Sequence, residues 1–312
     1  MPVSSLRIIT RESPLAMWQA CHVRDQLQKI HPALEIRILG ITTEADKFLD
    51  STLASLGGKG AFVKELEHAL LENHADIAVH SMKDVTVELP DQLDIAAILT
   101  RENPGDAFVS VNHASLEDLP IAAVVGTSSL RRQCQIKSLR PDLVIADIRG
   151  NVGTRLQKLD SGKYDALVLA SSGLIRLGLA GRIRQQLDAR IMLPAIGQGA
   201  LGIEVRKNDL RTRELIAPLN DDTTRLCVMA ERNVNKRLNG GCHAPVAAYA
   251  TRLGDALSLS GLVGAPDGSE ILRASVQGSC AQAEQLGEQL GQLLLDQGAG
   301  RILEQLRSRD ST

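Results

Sequence analysis

One pattern occurs twice in this chain, and it limits the fold more than any other feature. Ile8 to Leu15 and Val125 to Leu130 each run from an apolar strand through a Thr and Ser turn into a helix. Asp76 to Ser81 and Asp165 to Ser171 each start on Asp, continue as a buried strand and end in a small polar turn. Strands that alternate with helices in this way build sheets covered on both faces. Two similar α/β domains are therefore expected, facing each other across a cleft. Ligands of such sheets bind beyond the carboxyl ends of the strands, so the turns after the strands are the places to inspect.

Taken in order, Leu6 to Thr10 reads as a strand, Ser13-Pro14 as a helix start, and Glu35 to Leu39 as the next strand. Residues 42–60 lack periodicity and read as a loop ending in Gly57-Gly58-Lys59-Gly60; a helix is expected over 61–72. Strands are expected at 76–80, 95–99, 107–110, 121–125, 144–145, 165–170 and 201–205. Asn103-Pro104-Gly105 and Pro194 to Gly199 read as two crossings between the halves. Asp222 to Leu238 has the apolar spacing of a helix. Strands near 246–250, 257–262 and 271–276 and helices near 281–295 and 301–306 complete a small α+β domain. The expected division is 1–99 with 200–218, then 105–193, then 222–312.

Chemistry gathers at the turns. Arg11, Arg131, Arg132, Arg149, Arg155 and Arg176 all follow strands. One such arginine is an ordinary solvated helix start. Six are harder to dismiss, because a cation near a helix N-terminus opposes the helix dipole. An anionic ligand offsets that cost, and guanidinium groups match carboxylates in bidentate geometry. Thr127, Ser128 and Ser129 add hydroxyls and helix-start N–H groups. Lys83-Asp84 lies directly beyond a buried strand. It reads either as an N-cap with a surface lysine or as a carboxylate able to stabilise a developing cation. Asn239-Gly240-Gly241-Cys242, with Pro245 beyond, puts a thiol on a sterically open loop where a helix ends. A turn that merely contains a cysteine and a functional thiol both suit that loop.

Other classes are disfavoured. Net charge is -2 and aromatics make up 2% of residues, which argues against a nucleic-acid platform. The 5 cysteines are widely spaced with no CxxC pair, so neither a disulfide framework nor a zinc site is expected. No apolar run reaches membrane-spanning length, and Met1 to Thr10 lacks a signal-peptide core. A cytoplasmic location without a metal follows as the expectation. A two-domain solute-binding protein and a cysteine-nucleophile enzyme are the competing readings of the architecture and the thiol.

Five motifs in order, HSMKDV at 80–85, GTSSLRRQ at 126–133, RGNVGTRL at 149–156, LPAIGQGALGIE at 193–204 and NGGC at 239–242, resemble porphobilinogen deaminases, also called hydroxymethylbilane synthases. The resemblance implies an α/β fold with two similar doubly wound domains resembling type II periplasmic binding proteins, plus a small α+β C-terminal domain. It implies a transferase that adds four porphobilinogens to a dipyrromethane cofactor held by a thioether at Cys242, with loss of ammonia and release of hydroxymethylbilane. Asp84 is then catalytic. Lys83, Thr127, Ser129, Arg131, Arg132, Arg149 and Arg155 are implied to bind the cofactor. Arg11, Ser13, Lys59, Phe62, Gly173 and Arg176, with Arg149 and Arg155, are implied to bind substrate. A monomer is implied too. Glu44-Ala45-Asp46 and Thr86 depart from the family pattern, and neither touches a proposed catalytic residue.

Overall fold

The computed structural model describes residues 5–42, 63–241 and 244–310. The chain divides into two units, Met1–Arg101 with Ala200–Arg225, and Glu102–Gly199 with Leu226–Thr312.

The first unit contains β1 (Ser5–Arg11), α1 (Pro14–Ile30), β2 (Glu35–Ile41), α2 (Lys64–Leu71), β3 (Ile77–Ser81), β4 (Leu93–Ile98), β10 (Leu201–Arg206) and α6 (Leu210–Ile216). Its sheet has the order β2-β1-β3-β10-β4. β1 runs parallel to β2 and β3, whereas β10 is antiparallel to β3 and β4. Ser13 caps α1, accepting the Ala16 N–H at 3.4 Å, with Pro14 at the first helical position. Side chains alternate across a strand, so neighbouring residues enter different cores. Ile8 and Val79 pack with Ala20, Val23 and Leu27 of α1. Ile9 and Ala78 pack with Leu66 and Leu70 of α2. The sheet is thus covered on both faces. α6 was not expected from the sequence; only seven residues long, it adds Ile216 to the α1-side core.

The second unit begins with β5 (Asp106–Ser110), β6 (Val124–Gly126), α3 (Leu130–Leu139), β7 (Val144–Ala146), α4 (Val152–Asp160), β8 (Ala166–Ala170), α5 (Ser171–Arg176) and β9 (Gln185–Leu187). Sheet order is β7-β6-β8-β5-β9. β6 is parallel to β7 and β8, and β5 is antiparallel to β8 and β9. With β6 in the place of β1 and β5 in the place of β10, the two sheets share one topology. Phe108 enters the core under α3, while Ala107 and Val109 enter the core under α4 and α5. The repeat reaches single hydrogen bonds. Asp76 Oδ2 accepts the Arg7 N–H at 2.8 Å, and Asp165 Oδ2 accepts the Val124 N–H at 2.7 Å. The aspartates of the sequence repeat therefore clamp the same joint in both sheets.

One expectation needs correction, and one strand escaped the sequence reading. The strand read over 121–125 starts only at Val124, because Ala122 has φ 63, a left-handed backbone that no strand accommodates, and Ile121 is 82% exposed. β9, Gln-Gln-Leu, carries no apolar alternation and went unread.

The rest of the second unit is α7 (Asp222–Leu238, its first turn lying in the first unit), the antiparallel sheet β11 (Val246–Leu253), β12 (Ala256–Gly264) and β13 (Ile271–Ser279), then α8 (Ala283–Asp296) and α9 (Ala299–Asp310). Val234 and Leu238 of α7, Leu290 and Leu294 of α8 and Ile302 of α9 share a core with Ala248, Leu257 and Leu259. The α3 helix touches this sheet through Cys134, which packs with Ala247 and Leu262.

Candidate active site

In the first unit, β1 and β3 run parallel and end side by side, and the two polar turns of interest follow them. Arg11 closes β1 and Ser13 starts α1. Beyond β3, Met82–Asp84 forms one 3-10 turn in which Met82 is buried, Lys83 half-buried and Asp84 exposed. The turn is anchored from below. The Met82 N–H donates to Ala200 O at 3.0 Å, and a Cβ on Gly202 would collide with Met82 Sδ. Residue 202 must be glycine for this methionine to lie flat on β10. Gln19 Nε2 of α1 donates to Ser81 Oγ at 2.9 Å, which ties the helix after β1 to the end of β3.

In the second unit, β7, β6 and β8 are parallel neighbours, so the turns that follow them share one edge of the sheet. That edge gathers Thr127 and Ser129 after β6, Arg149 and Arg155 after β7, and Gly173 and Arg176 after β8. Ser128 ties two of the turns together, donating to Ile148 O at 2.9 Å and accepting the Ile148 N–H at 3.0 Å. Ser129 is the N-cap of α3 but makes no side-chain capping bond. The first-turn N–H groups of α3 are left without that acceptor, which suits an anion. Asn151 does cap α4, accepting the Thr154 N–H at 2.9 Å. Arg155 Nε donates to Gly150 O at 2.8 Å and Lys158 Nζ to Arg149 O at 3.0 Å, which stiffens that loop. Arg149 and Arg155 are half-buried. Gly173 is buried within α5.

Arg131 and Arg132 sit deeper than the sequence suggested, at 3% and 7% exposure. Both are bonded to Asp106, which is wholly buried on β5. Arg131 Nη1 reaches Asp106 Oδ2 at 2.7 Å and Leu193 O at 2.9 Å. Arg132 Nη2 reaches Asp106 Oδ1 at 2.8 Å, and its Nη1 reaches Val168 O at 3.0 Å. Gln198 Nε2 adds a bond to Asp106 Oδ1 at 3.0 Å. Burial alone would raise the Asp106 pKa; the charges of Arg131 and then Arg132 overcome it and hold the carboxyl below the usual range. Two guanidiniums on one carboxylate leave a buried net positive charge at this edge. Arg131 Nε is buried without a hydrogen-bond partner among the described residues. Burial brings Arg176 down to about 10, with Glu102 opposing, and its Nη2 donates to Gly199 O at 2.6 Å.

The helix that leads to Cys242 ends in a defined way. Asn239, not a glycine, takes the left-handed conformation, with φ 49. Its N–H donates to Lys236 O at 3.1 Å and the Gly240 N–H to Asn235 O at 3.1 Å, the paired bonds of a Schellman cap. Gly240 serves close approach, since a Cβ there would collide with Asn235 Oδ1. Cys242 itself, with Lys59 and Phe62, lies outside the described residues. Of the other thiols, burial pushes Cys134 up to about 12, the mark of an inert core cysteine. Among the described residues, no group of three or more His, Cys, Asp and Glu is placed to hold a metal ion. No described helix is long and apolar enough to cross a membrane.

Sequence reasoning missed Asp106, Gln198, Glu204 and Glu231. Glu231 is wholly buried on α7, and its two oxygens accept the Gly197 N–H at 2.7 Å and the Ala250 N–H at 3.0 Å. It thus links the crossing segment to β11 within the second unit. A lone acidic residue inside an apolar pattern was the available signal in each carboxylate case.

Two family models match the chain. "Porphobilinogen deaminase, dipyromethane cofactor binding domain" matches residues 6–214, and "Porphobilinogen deaminase, C-terminal domain" matches residues 225–296. Among solved structures, a putative methionine-binding lipoprotein from Bacillus subtilis is 12% identical, with a TM-score of 0.44 over 71% of this chain and 92% of that one. A periplasmic substrate-binding protein of an ABC transporter from Coxiella burnetii is 14% identical, with a TM-score of 0.44 over 70% of this chain and 94% of that one. Likenesses this distant fix neither substrate nor site.

Proposed function

The chain belongs to the porphobilinogen deaminase family, and on that premise we propose that Asp84 is its catalytic carboxylate and Cys242 the attachment point of its cofactor. The family's reaction is a step of tetrapyrrole biosynthesis: a transferase joins porphobilinogen units head to tail on dipyrromethane to make hydroxymethylbilane. The observation that carries the site assignment is the gathering of the arginine turns at the carboxyl ends of β7, β6 and β8. The substrate's acetate and propionate groups add two negative charges with every unit, and this edge supplies fixed cations and helix-start N–H groups.

The donor set fits a carboxylate-bearing cofactor. Arg149 and Arg155 offer half-buried guanidiniums on a stiffened loop. Thr127 and Ser129 frame the start of α3. Arg131 and Arg132 contribute mainly field, since Asp106 already orients them. Lys83 stands beside Asp84 and is read as a further cofactor contact. When attached, dipyrromethane supplies the pyrrole with a free α-carbon to which the substrate is joined. Arg11, Ser13, Gly173 and Arg176, with Lys59 and Phe62, are assigned to the incoming porphobilinogen. Loss of ammonia leaves a cationic carbon on that substrate, and the exposed Asp84 carboxylate stabilises it and accepts the proton lost after bond formation.

The three-part division at 1–99 with 200–218, 105–193 and 222–312 is proposed as the working organisation, as are a monomeric state, hydroxymethylbilane synthase specificity and a cytoplasmic location without nucleic-acid or membrane partners. Net charge of -2 supports the absence of a polyanionic partner.

Intact mass tests the reading. Purified active protein should exceed its polypeptide mass by one dipyrromethane unit, and peptide mapping should place the adduct on Cys242. An unmodified, fully active protein would overturn the assignment.

A further inference from the structure

Three ionisable side chains are buried on one face of the first-unit sheet without a part in the reaction as read so far. Glu204 of β10 is 0% exposed, His80 of β3 5% and Glu67 of α2 9%. His80 Nε2 lies 2.8 Å from Glu204 Oε2. A carboxylate only accepts, so the ring nitrogen carries the proton of this bond. Glu204 Oε1 is buried and has no hydrogen-bond partner among the described residues. Such an oxygen is costly unless a donor reaches it. Glu67 responds to this buried charge: burial first, and then the charge of Glu204, raise its pKa above the usual carboxyl range, with His80 and Lys64 opposing. A further cation, Arg206 of β10, is taken up by Leu70 O at 2.6 Å, Ala75 O at 2.7 Å and Asp209 at 3.0 Å.

The cluster lies directly beneath the turn that carries Asp84. Gly202 pairs with His80 and Leu201 with Ser81 across the β10–β3 ladder. Met82, the next residue, rests on Gly202. Anything that shifts β10 against β3 by a fraction of an ångström therefore moves Met82, and Lys83 and Asp84 with it.

We propose that Glu204 is a positioning residue for Asp84: held by His80 Nε2 across the β10–β3 ladder, it fixes β10 against β3 and so sets the Met82–Asp84 turn. An apolar pair of equal volume would stabilise the sheet as well or better. What the His80–Glu204 pair adds is directionality, since a hydrogen bond specifies an offset that apolar packing tolerates loosely. The proposal rests on the reading of Asp84 as the catalytic carboxylate.

The test uses holoprotein with cofactor content checked by intact mass. In Glu204→Gln, kcat should fall by about 10- to 100-fold, the scale of a small misplacement of a reacting group, with KM within about twofold and the cofactor still attached. Wild-type kcat in this variant overturns the proposal. If Glu204→Gln fails to fold, the comparison of His80→Leu with His80→Gln decides. Leu removes the donor to Glu204 and should lower kcat at unchanged KM, whereas Gln keeps an N–H donor and should restore it. Equal kcat in the two overturns the proposal. Asp84→Asn run alongside separates the premises: full activity there sinks the catalytic reading itself, whatever Glu204 does.

Discussion

Asp106 accepts two hydrogen bonds from Arg132 on a single oxygen, from Nε at 3.1 Å and from Nη2 at 2.8 Å. Its other oxygen takes Arg131 Nη1. Neither guanidinium would be tolerated at this depth without that carboxylate, and the trio still carries one excess positive charge. Asp106 thus makes a buried cationic edge affordable and fixes its geometry before any ligand arrives.

Removing the Asp106 charge while keeping its shape tests this. Asp106→Asn should cost about 3–5 kcal/mol, as breaking a buried pair does, measured by denaturant unfolding. Cofactor uptake by the apoprotein, read by mass, should also slow, because two arginines lose their orientation. A variant with wild-type stability would mean that the trio contributes little. Acid should act the same way. The Asp106 pKa is lowered in the fold, so its contribution is present above the unfolded carboxyl pKa and lost as pH falls through the folded one.

Asp84 is exposed at the tip of its turn, so its substitution should leave the fold alone. Asp84→Asn should reduce elongation by about 10²- to 10³-fold, the usual effect of deleting one charge-stabilising group, with the unfolding midpoint unchanged. Steady-state kinetics beside circular dichroism would show it. Near-normal turnover would leave Asp84 as a turn residue and no more.

Gly202 has no room for a side chain because Met82 occupies it. Gly202→Ala should destabilise by about 1–3 kcal/mol through overpacking and lower kcat more than KM, since the displaced methionine carries the Asp84 turn. The double substitution Gly202→Ala with Met82→Ala should recover part of the lost stability without recovering kcat. A full recovery of kcat would argue against Met82 as the anchor.

Glu67 offers a pH test with the opposite sign to Asp106. Its pKa is raised, first by burial and then by Glu204, so its contribution is present below the unfolded carboxyl pKa and lost as pH rises through the folded one. Glu67→Gln should therefore flatten the loss of stability over that rise, and thermal unfolding from acidic to neutral pH would reveal it. Parallel curves for variant and wild type would remove Glu67 from the buried cluster.

Arg149 sits half-buried on the loop after β7. Arg149→Leu should impair chain extension far more than stability, with intermediate complexes visible by mass. Loss of fold in place of loss of extension would withdraw its carboxylate-binding role.

By itself the sequence determined the doubled strand–turn–helix plan, most helix and strand positions, the turns that carry the arginines, and the helix end before Cys242. All of these are written in short-range chemistry: alternation along a strand, spacing around a helix, a serine or proline at a helix start. It went astray at Ile121 and Ala122, where backbone conformation overrode an apolar run. Tertiary structure alone decided which charges meet. Asp106 lies 25 residues from Arg131 and 92 from Gln198, and His80 lies 124 from Glu204. No local pattern records such pairs, because they depend on which strands become neighbours and in what register. The register of β10 against β3 puts Gly202 under Met82 and Glu204 within reach of His80, and the order β7-β6-β8 brings three separate arginine turns to one edge.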